Sequence, residues 1–171
     1  VPHARLFTPV DRQYTQLIFN QSYTGFAPLK QAEVRRALAA ALNRDQLIDQ
    51  ALNGQGVPLT GPYLPDSWAY DQAIFAAAGV NEANSAELLN SAGWTIPEGG
   101  AVRQREGESF RLSLLTLNSD VQQRLAQALA TQWANLGVEV LLETAVSVTD
   151  LREKLAARDF DVALVDITPS I

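Results

Sequence analysis

The side chains that could do chemistry are few, and their spacing suits structure better than catalysis. The single histidine, His3, lies two residues from the first residue in a proline-flanked segment. A Ser-His-Asp triad needs a base oriented in a packed site, so His3 reads as a surface residue. There is no cysteine, so no disulfide or thiolate site is available. The same two counts speak against a zinc or nickel site built from His and Cys. Asp159 and Asp161 flank Phe160, and Glu139 and Glu143 share one face of an expected strand. Paired carboxylates can do acid–base work, but at alternating strand positions they belong to solvent edges or arginine partners. Arg35-Arg36 could bind an anion. Gly54-x-Gly56 is no dinucleotide fingerprint, because it follows a helix rather than a strand and lacks the third glycine.

Two further groups could contact a ligand. Tyr63, Trp68 and Tyr70 cluster in a Pro/Gly-rich crossing segment, where they either line a ligand or anchor the loop on the helices. Ser119 and Asp120 stand at an expected helix start. A carboxylate there is stabilised by the helix dipole, and the free amides could meet a ligand carboxylate.

These residues must be held by an alternation of strands and helices. Gln16 to Asn20 is a short strand. Gln31 to Leu42 and Arg44 to Asn53 are helices striped by Val34, Leu38, Ala41 and Leu42, then Ile48 and Leu52. Asn43 with Gln46 forms a capping box, and Asn53-Gly54 ends the second helix. Asp71 to Ala78 and Ser85 to Ala92 are shorter helices, the latter opening at Asn84 or Ser85. Ile96 to Ser109 is loop with a small hairpin around Val102. Phe110 to Leu117 is a strand. Ser119 and Gln122 cap a helix running to Leu136, with Val121, Leu125, Leu129 and Trp133 or Leu136 facing inward and Gly137 stopping it. Val138 to Glu143 is a strand, Thr149 caps a helix carrying Leu151 and Leu155, and Phe160 to Ile167 is the last strand.

Strand, helix, strand, helix, strand with short joins predicts parallel strands joined by right-handed crossovers. Leu112 to Leu117 and Val162 to Val165 are nearly continuous apolar runs, as parallel strands covered on both faces require. The fold class is α/β. Ligands of such sheets sit beyond the carboxyl ends of the strands. The candidate ligand-binding residues are therefore Thr116, Asn118, Ser119, Asp120, Ser147, Asp166 and Thr168, on the segments Thr116 to Asp120, Thr144 to Ser147 and Asp166 to Ser170. Tyr63, Trp68 and Tyr70 are secondary candidates. No metal site, cofactor or catalytic residue is expected.

At 171 residues the chain can bury one good core. Its 47% hydrophobic and 19% charged residues mark a globular rather than disordered chain. Net charge is −6 and the pI about 4.7, with Lys and Arg scattered, which does not make the positive surface that phosphates need. No nucleic-acid partner is expected. No apolar run is long enough to span a bilayer.

One set of motifs carries a family resemblance. Val34, Arg35, Ala37 and Leu38 are followed by Asn43-Arg44, then Gly54, Gly56 and Pro58, then Gly61, Pro62 and Pro65. Phe19-Asn20 lies upstream. Ala86-Glu87-Leu88-Leu89 with Ala92-Gly93-Trp94, Leu136-Gly137-Val138-Glu139-Val140, and Asp159-Phe160-Asp161-Val162-Ala163-Leu164 follow in order. Together they resemble the peptide/nickel class (family 5) of extracellular solute-binding proteins that serve ABC transporters.

The resemblance implies a periplasmic-binding-protein-like lobe: a β-α-β-α-β parallel core with an additional N-terminal strand and helices. Family members have two lobes around a ligand cleft. The start at Val1 and the unfinished strand-like run at Ile171 lead us to expect residues 1–171 to be one lobe, a fragment of the C-terminal one. The implied function is solute capture by hinge closure, not enzyme catalysis. Its partners would be a small solute, a peptide among the candidates, and the membrane permease of an ABC importer. The expected location is periplasmic or extracellular, with a membrane anchor in a segment outside this chain, and the expected state is monomeric. In peptide-binding members an acidic anchor follows the Phe-Asp strand within a Gly-Trp-x-x-Asp segment. Here that stretch reads Val165-Asp166-Ile167-Thr168-Pro169-Ser170, so Asp166 does not inherit the role. The resemblance also implies that Arg35 is structural, bonding loop carbonyls. The first alternative is a solute-sensing domain of a regulator with the same fold. The second, an α/β hydrolase, is opposed by the missing internal histidine and Gly-x-Ser-x-Gly turn.

Overall fold

The computed structural model describes residues 13–59, 61 and 84–168. The expected helix Asp71 to Ala78, the aromatic trio Tyr63, Trp68 and Tyr70, and His3 lie outside the described residues. The elements run β1 (Tyr14–Phe19), a 3-10 turn (Ala27–Lys30), α1 (Ala32–Ala40), α2 (Arg44–Leu52), α3 (Ser85–Ser91), β2 (Gln104–Arg105), β3 (Glu108–Ser109), β4 (Arg111–Leu117), α4 (Asp120–Asn135), β5 (Glu139–Ala145), α5 (Val148–Ala157) and β6 (Val162–Ile167).

β1, β6, β4 and β5 form one sheet in that order. β4 pairs in parallel with both β5 and β6, as the sequence pattern predicts, while β1 runs antiparallel to β6. Alternation along β4 sends Leu112 and Leu114 to one face and Leu115 to the other. The first face packs on α1, α2 and α4 through Leu38, Leu47, Leu125, Leu129 and Trp133. The second packs on α5 through Leu151 and Leu155, with Phe160 and Ala163. The helices α4 and α5 thus cover opposite faces. Crossovers of one hand that step in opposite directions along the sheet, β4 to β5 and then β5 back past β4 to β6, must do so.

The helix starts follow the capping chemistry with three departures. Asn43 Oδ1 accepts from Gln46 N at 3.0 Å, but Asn43 N donates to Gln132 Oε1 of α4, so a different helix completes the box. Ser119 Oγ accepts from Gln122 N at 3.3 Å, while the Gln122 side chain accepts from Thr116 Oγ1 instead of reaching back. Thr149 is not the cap of α5. Ser147 is, accepting from Asp150 N at 3.1 Å, and Asp150 Oδ2 accepts from Val146 N. The Ser-x-x-Asp pair satisfies two donors reciprocally and starts the helix two residues sooner. Val121 is not inward either. It is 43% exposed, because the buried stripe of α4 runs Gln122, Leu125, Ala126, Leu129, Trp133. The small hairpin is centred not on Val102 but on Glu106-Gly107, where β2 and β3 pair and both turn residues take positive φ (54° and 84°), as a tight two-residue turn needs.

Arg35 holds the 3-10 turn by donating to the carbonyls of Leu29 (2.8 Å) and Lys30 (2.9 Å), which agrees with its structural reading. Beneath the sheet's amino edge, Trp94, Phe26 and Phe110 pack with ring centroids 4.7–5.8 Å apart. Arg105 covers Trp94 at 4.9 Å.

Candidate functional site

The three candidate segments, the last as far as Thr168, meet at the carboxyl edge of the parallel strands. Leu117 and Ala145 are register partners at the ends of β4 and β5. One residue on, Asn118 N donates to Ala145 O at 2.8 Å and ties the two loops side by side. From there the chain leaves β4 toward α4 on one face and β5 toward α5 on the other. This divergence is the topological switch point at which open α/β sheets form a crevice.

Asn118 is exposed, and its Oδ1 accepts from Gln123 Nε2. Asp120 is exposed on the first turn of α4. Ser119 and Ser147 are the two helix caps, so their hydroxyls are already engaged. Asp166 is exposed and accepts from Thr15 Oγ1 at 2.6 Å, which joins β1 to the same edge. Thr168 is exposed one residue beyond β6. Thr116 differs. It is buried, and its hydroxyl is spent on Gln122 at 3.1 Å. It supports the start of α4 from below, and it also lines a shallow depression of about 380 Å³ with Gln123, Arg124, Gln127, Leu142 and Thr144.

Periodicity gave no sign that Val121, Val146 and Val148 would all be bare on these loops, at 43%, 77% and 50% exposure. A valine before or after a helix cap reads as core or as strand end, and only the three-dimensional placement separates the readings.

In each carboxylate pair that could have done acid–base work, one member is otherwise engaged. Asp161 accepts two backbone amides, Phe26 N at 2.6 Å and Ser113 N at 2.8 Å. Glu139 pairs with Arg111 at 2.9 Å. Among the described residues no group of three His, Cys, Asp or Glu side chains could hold a metal ion.

The opposite, amino edge is a knot of polar bonds that the sequence did not announce. Asn20 is buried, and its Nδ2 donates to the carbonyls of Phe160 (2.7 Å) and Arg158 (3.0 Å). Its Oδ1 accepts from Ser22 N. A Cβ on Gly25 would stand 2.7 Å from Asn20 O, so the turn closes over Asn20 only with glycine. Arg103 is buried at the carboxyl ends of α3 and α4 and donates to Trp94 O (2.6 Å), Leu136 O (2.7 Å) and Asn90 Oδ1 (2.7 Å). Burial pushes its guanidinium pKa down from the ordinary value, and the three oxygens offset the lost hydration.

The comparisons with known proteins fit this geometry. The family described as bacterial extracellular solute-binding proteins, family 5 Middle, matches residues 4–171. The oligopeptide-binding protein AppA of Bacillus subtilis (strain 168) is 28% identical over 138 residues, covering 80% of this chain and 25% of that protein. The nickel-binding periplasmic protein of Escherichia coli (strain K12) is 28% identical over 141 residues, covering 82% of this chain and 26% of that protein. The solved structure of AppA from Bacillus subtilis in complex with a nonapeptide superposes with a TM-score of 0.78 at 26% identity, over 92% of this chain and 31% of that one. The chain spans about a quarter of the length of the curated relatives it matches. No helix among the described residues is long and apolar enough to cross a membrane. The family match over residues 4–171, on a mixed α/β sheet with a parallel core, places this chain in the bacterial extracellular solute-binding proteins of family 5.

Proposed function

We propose that residues 1–171 form one lobe of a two-lobed solute-binding protein of an ABC importer, and that the lobe offers its carboxyl edge to the ligand. The observation that carries this reading is the tie between Asn118 N and Ala145 O, which sets two loops side by side where the crossovers diverge. Asn118, Asp120, Asp166 and Thr168 present polar groups there, Ser119 and Ser147 fix the loops as caps, and Thr116 supports them from beneath. A second lobe closes over the solute by a hinge movement, and the closed protein docks on a membrane permease. The protein works outside the cytoplasm, as a monomer, without nucleic acid and without catalysis. Its relatives are named for peptides and for nickel, so the family alone does not choose the solute.

One wall of a two-sided site loses most of the enclosure that makes a small-molecule pocket. Calorimetry should therefore find that the full-length protein binds di- or oligopeptide while the 171-residue segment shows no binding at micromolar ligand. Tight, saturable binding by the segment alone would overturn the two-lobe reading.

A further inference from the structure

The carboxyl edge carries more bare hydrocarbon than its polar caps call for. Val121, Val146 and Val148 are 43%, 77% and 50% exposed, and none belongs to either core cluster. Single exposed apolar residues are ordinary, whereas clustered ones mark a contact surface. These three emerge from the paired ends of β4 and β5 and flank the crevice, Val121 on the side of α4 and Val148 on the side of α5. Local physics does not ask for them. The first turn of a helix favours Asp or Glu, and a β-branched residue is a poor helix former, yet valine occupies the first turn of both helices.

The charge around them is one-sided. Segments 117–121, 144–149 and 166–168 contain no Lys or Arg, while Asp120 and Asp166 are exposed. Among the described residues of these segments an anionic group would meet two carboxylates; Arg124, one turn beyond Asp120 on α4, is committed to Ala51 O.

We infer that this wall receives an apolar side chain of a neutral or cationic solute, seated across Val121, Val146 and Val148. The inference rests on the carboxyl-edge reading above and adds the class of ligand to it. The rival occupant of the valines is the opposite lobe, which would press on them at closure whatever the solute.

Three probes separate the cases in calorimetry of the full-length protein: trileucine amide (cationic and apolar), triglycine amide (cationic, without side chains) and triglutamate (anionic). Burial of a leucine side chain against the wall predicts trileucine amide binding at least about tenfold tighter than triglycine amide, with triglutamate undetectable. In a Val121→Ser/Val146→Ser double variant the preference should fall to about threefold or less, with triglycine amide unaffected. Val57→Ser, an equally exposed valine after α2, should leave the preference intact. Failure to bind trileucine amide, triglutamate binding as tightly, a preference that survives the double variant, or an equal loss for all probes would each overturn the inference. Asn118→Ala in the same titrations separates the two levels. If it weakens binding while the leucine preference survives the serine variants, the edge assignment stands and the apolar wall falls. If it changes nothing, the edge assignment falls as well.

Discussion

The two edges of the sheet use polar side chains in opposite ways. At the amino edge they reach across long stretches of sequence to backbone groups. Asn20 bonds the carbonyls of Arg158 and Phe160, Asp161 bonds the amides of Phe26 and Ser113, and Arg103 bonds Trp94 and Leu136. At the carboxyl edge they bond within their own loop or helix start: Ser119 to Gln122, Ser147 to Asp150, Asn118 to Gln123. The exception is Asp166, which bonds Thr15 on the neighbouring strand β1. The first arrangement fixes the fold, so a change there costs the whole domain. The second leaves outward-facing atoms and apolar surface that can change without unfolding the domain. The motif residues Asn20 and Asp161 both belong to the first kind. The features that identify the family therefore say little about its ligand.

The contrast makes ordered predictions. Leu125, which packs between α4 and the sheet, sets the scale: Leu125→Ala should cost roughly 2–5 kcal/mol in chemical denaturation. Asp161→Ala leaves two backbone amides without their acceptor and should cost about 3 kcal/mol. Asn20→Ala, which strands the carbonyl of Phe160 while Arg158 O keeps Thr24 Oγ1, should cost about 2 kcal/mol. An effect near zero for both would dissolve the distinction between the edges. At the carboxyl edge, Ser147→Ala loses a helix cap and should cost about 1 kcal/mol. Asn118→Ala, on an exposed side chain, should stay within about 0.5 kcal/mol of the parent.

Much of this architecture was legible because local rules agree with the global fold. The β4–α4–β5–α5–β6 alternation follows from apolar runs, glycine stops and short joins, and the caps at Asn43 and Ser119 follow from residue type. Failures came where a choice between neighbouring residues depends on the tertiary neighbour. Thr149 and Ser147 can both cap a helix, and the reciprocal bond from Val146 N to Asp150 decides for Ser147. Val121 fits an apolar stripe by spacing, but the sheet takes Gln122 instead, because Thr116 supplies a partner for its buried amide. At the candidate site, topology anticipated that the three segments would lie at one edge of the sheet. It could not tell that the Thr116 hydroxyl turns inward while Asn118 faces out, since that depends on the side chain of Gln122. The roles of Asn20 and Asp161 were invisible for a related reason: their partners are up to 140 residues away.

The measurement that bears most directly on the division between the edges is ligand affinity and melting temperature, taken together on the full-length protein, for Asn118→Ala and Asp166→Ala beside Asn20→Ala. The account predicts that the two carboxyl-edge variants weaken affinity for the cognate solute by about tenfold or more while melting close to the parent. It predicts that Asn20→Ala lowers the melting temperature and leaves the affinity of the folded protein unchanged. Unchanged affinity in both Asn118→Ala and Asp166→Ala would contradict it and move the ligand wall to the segment around Trp68.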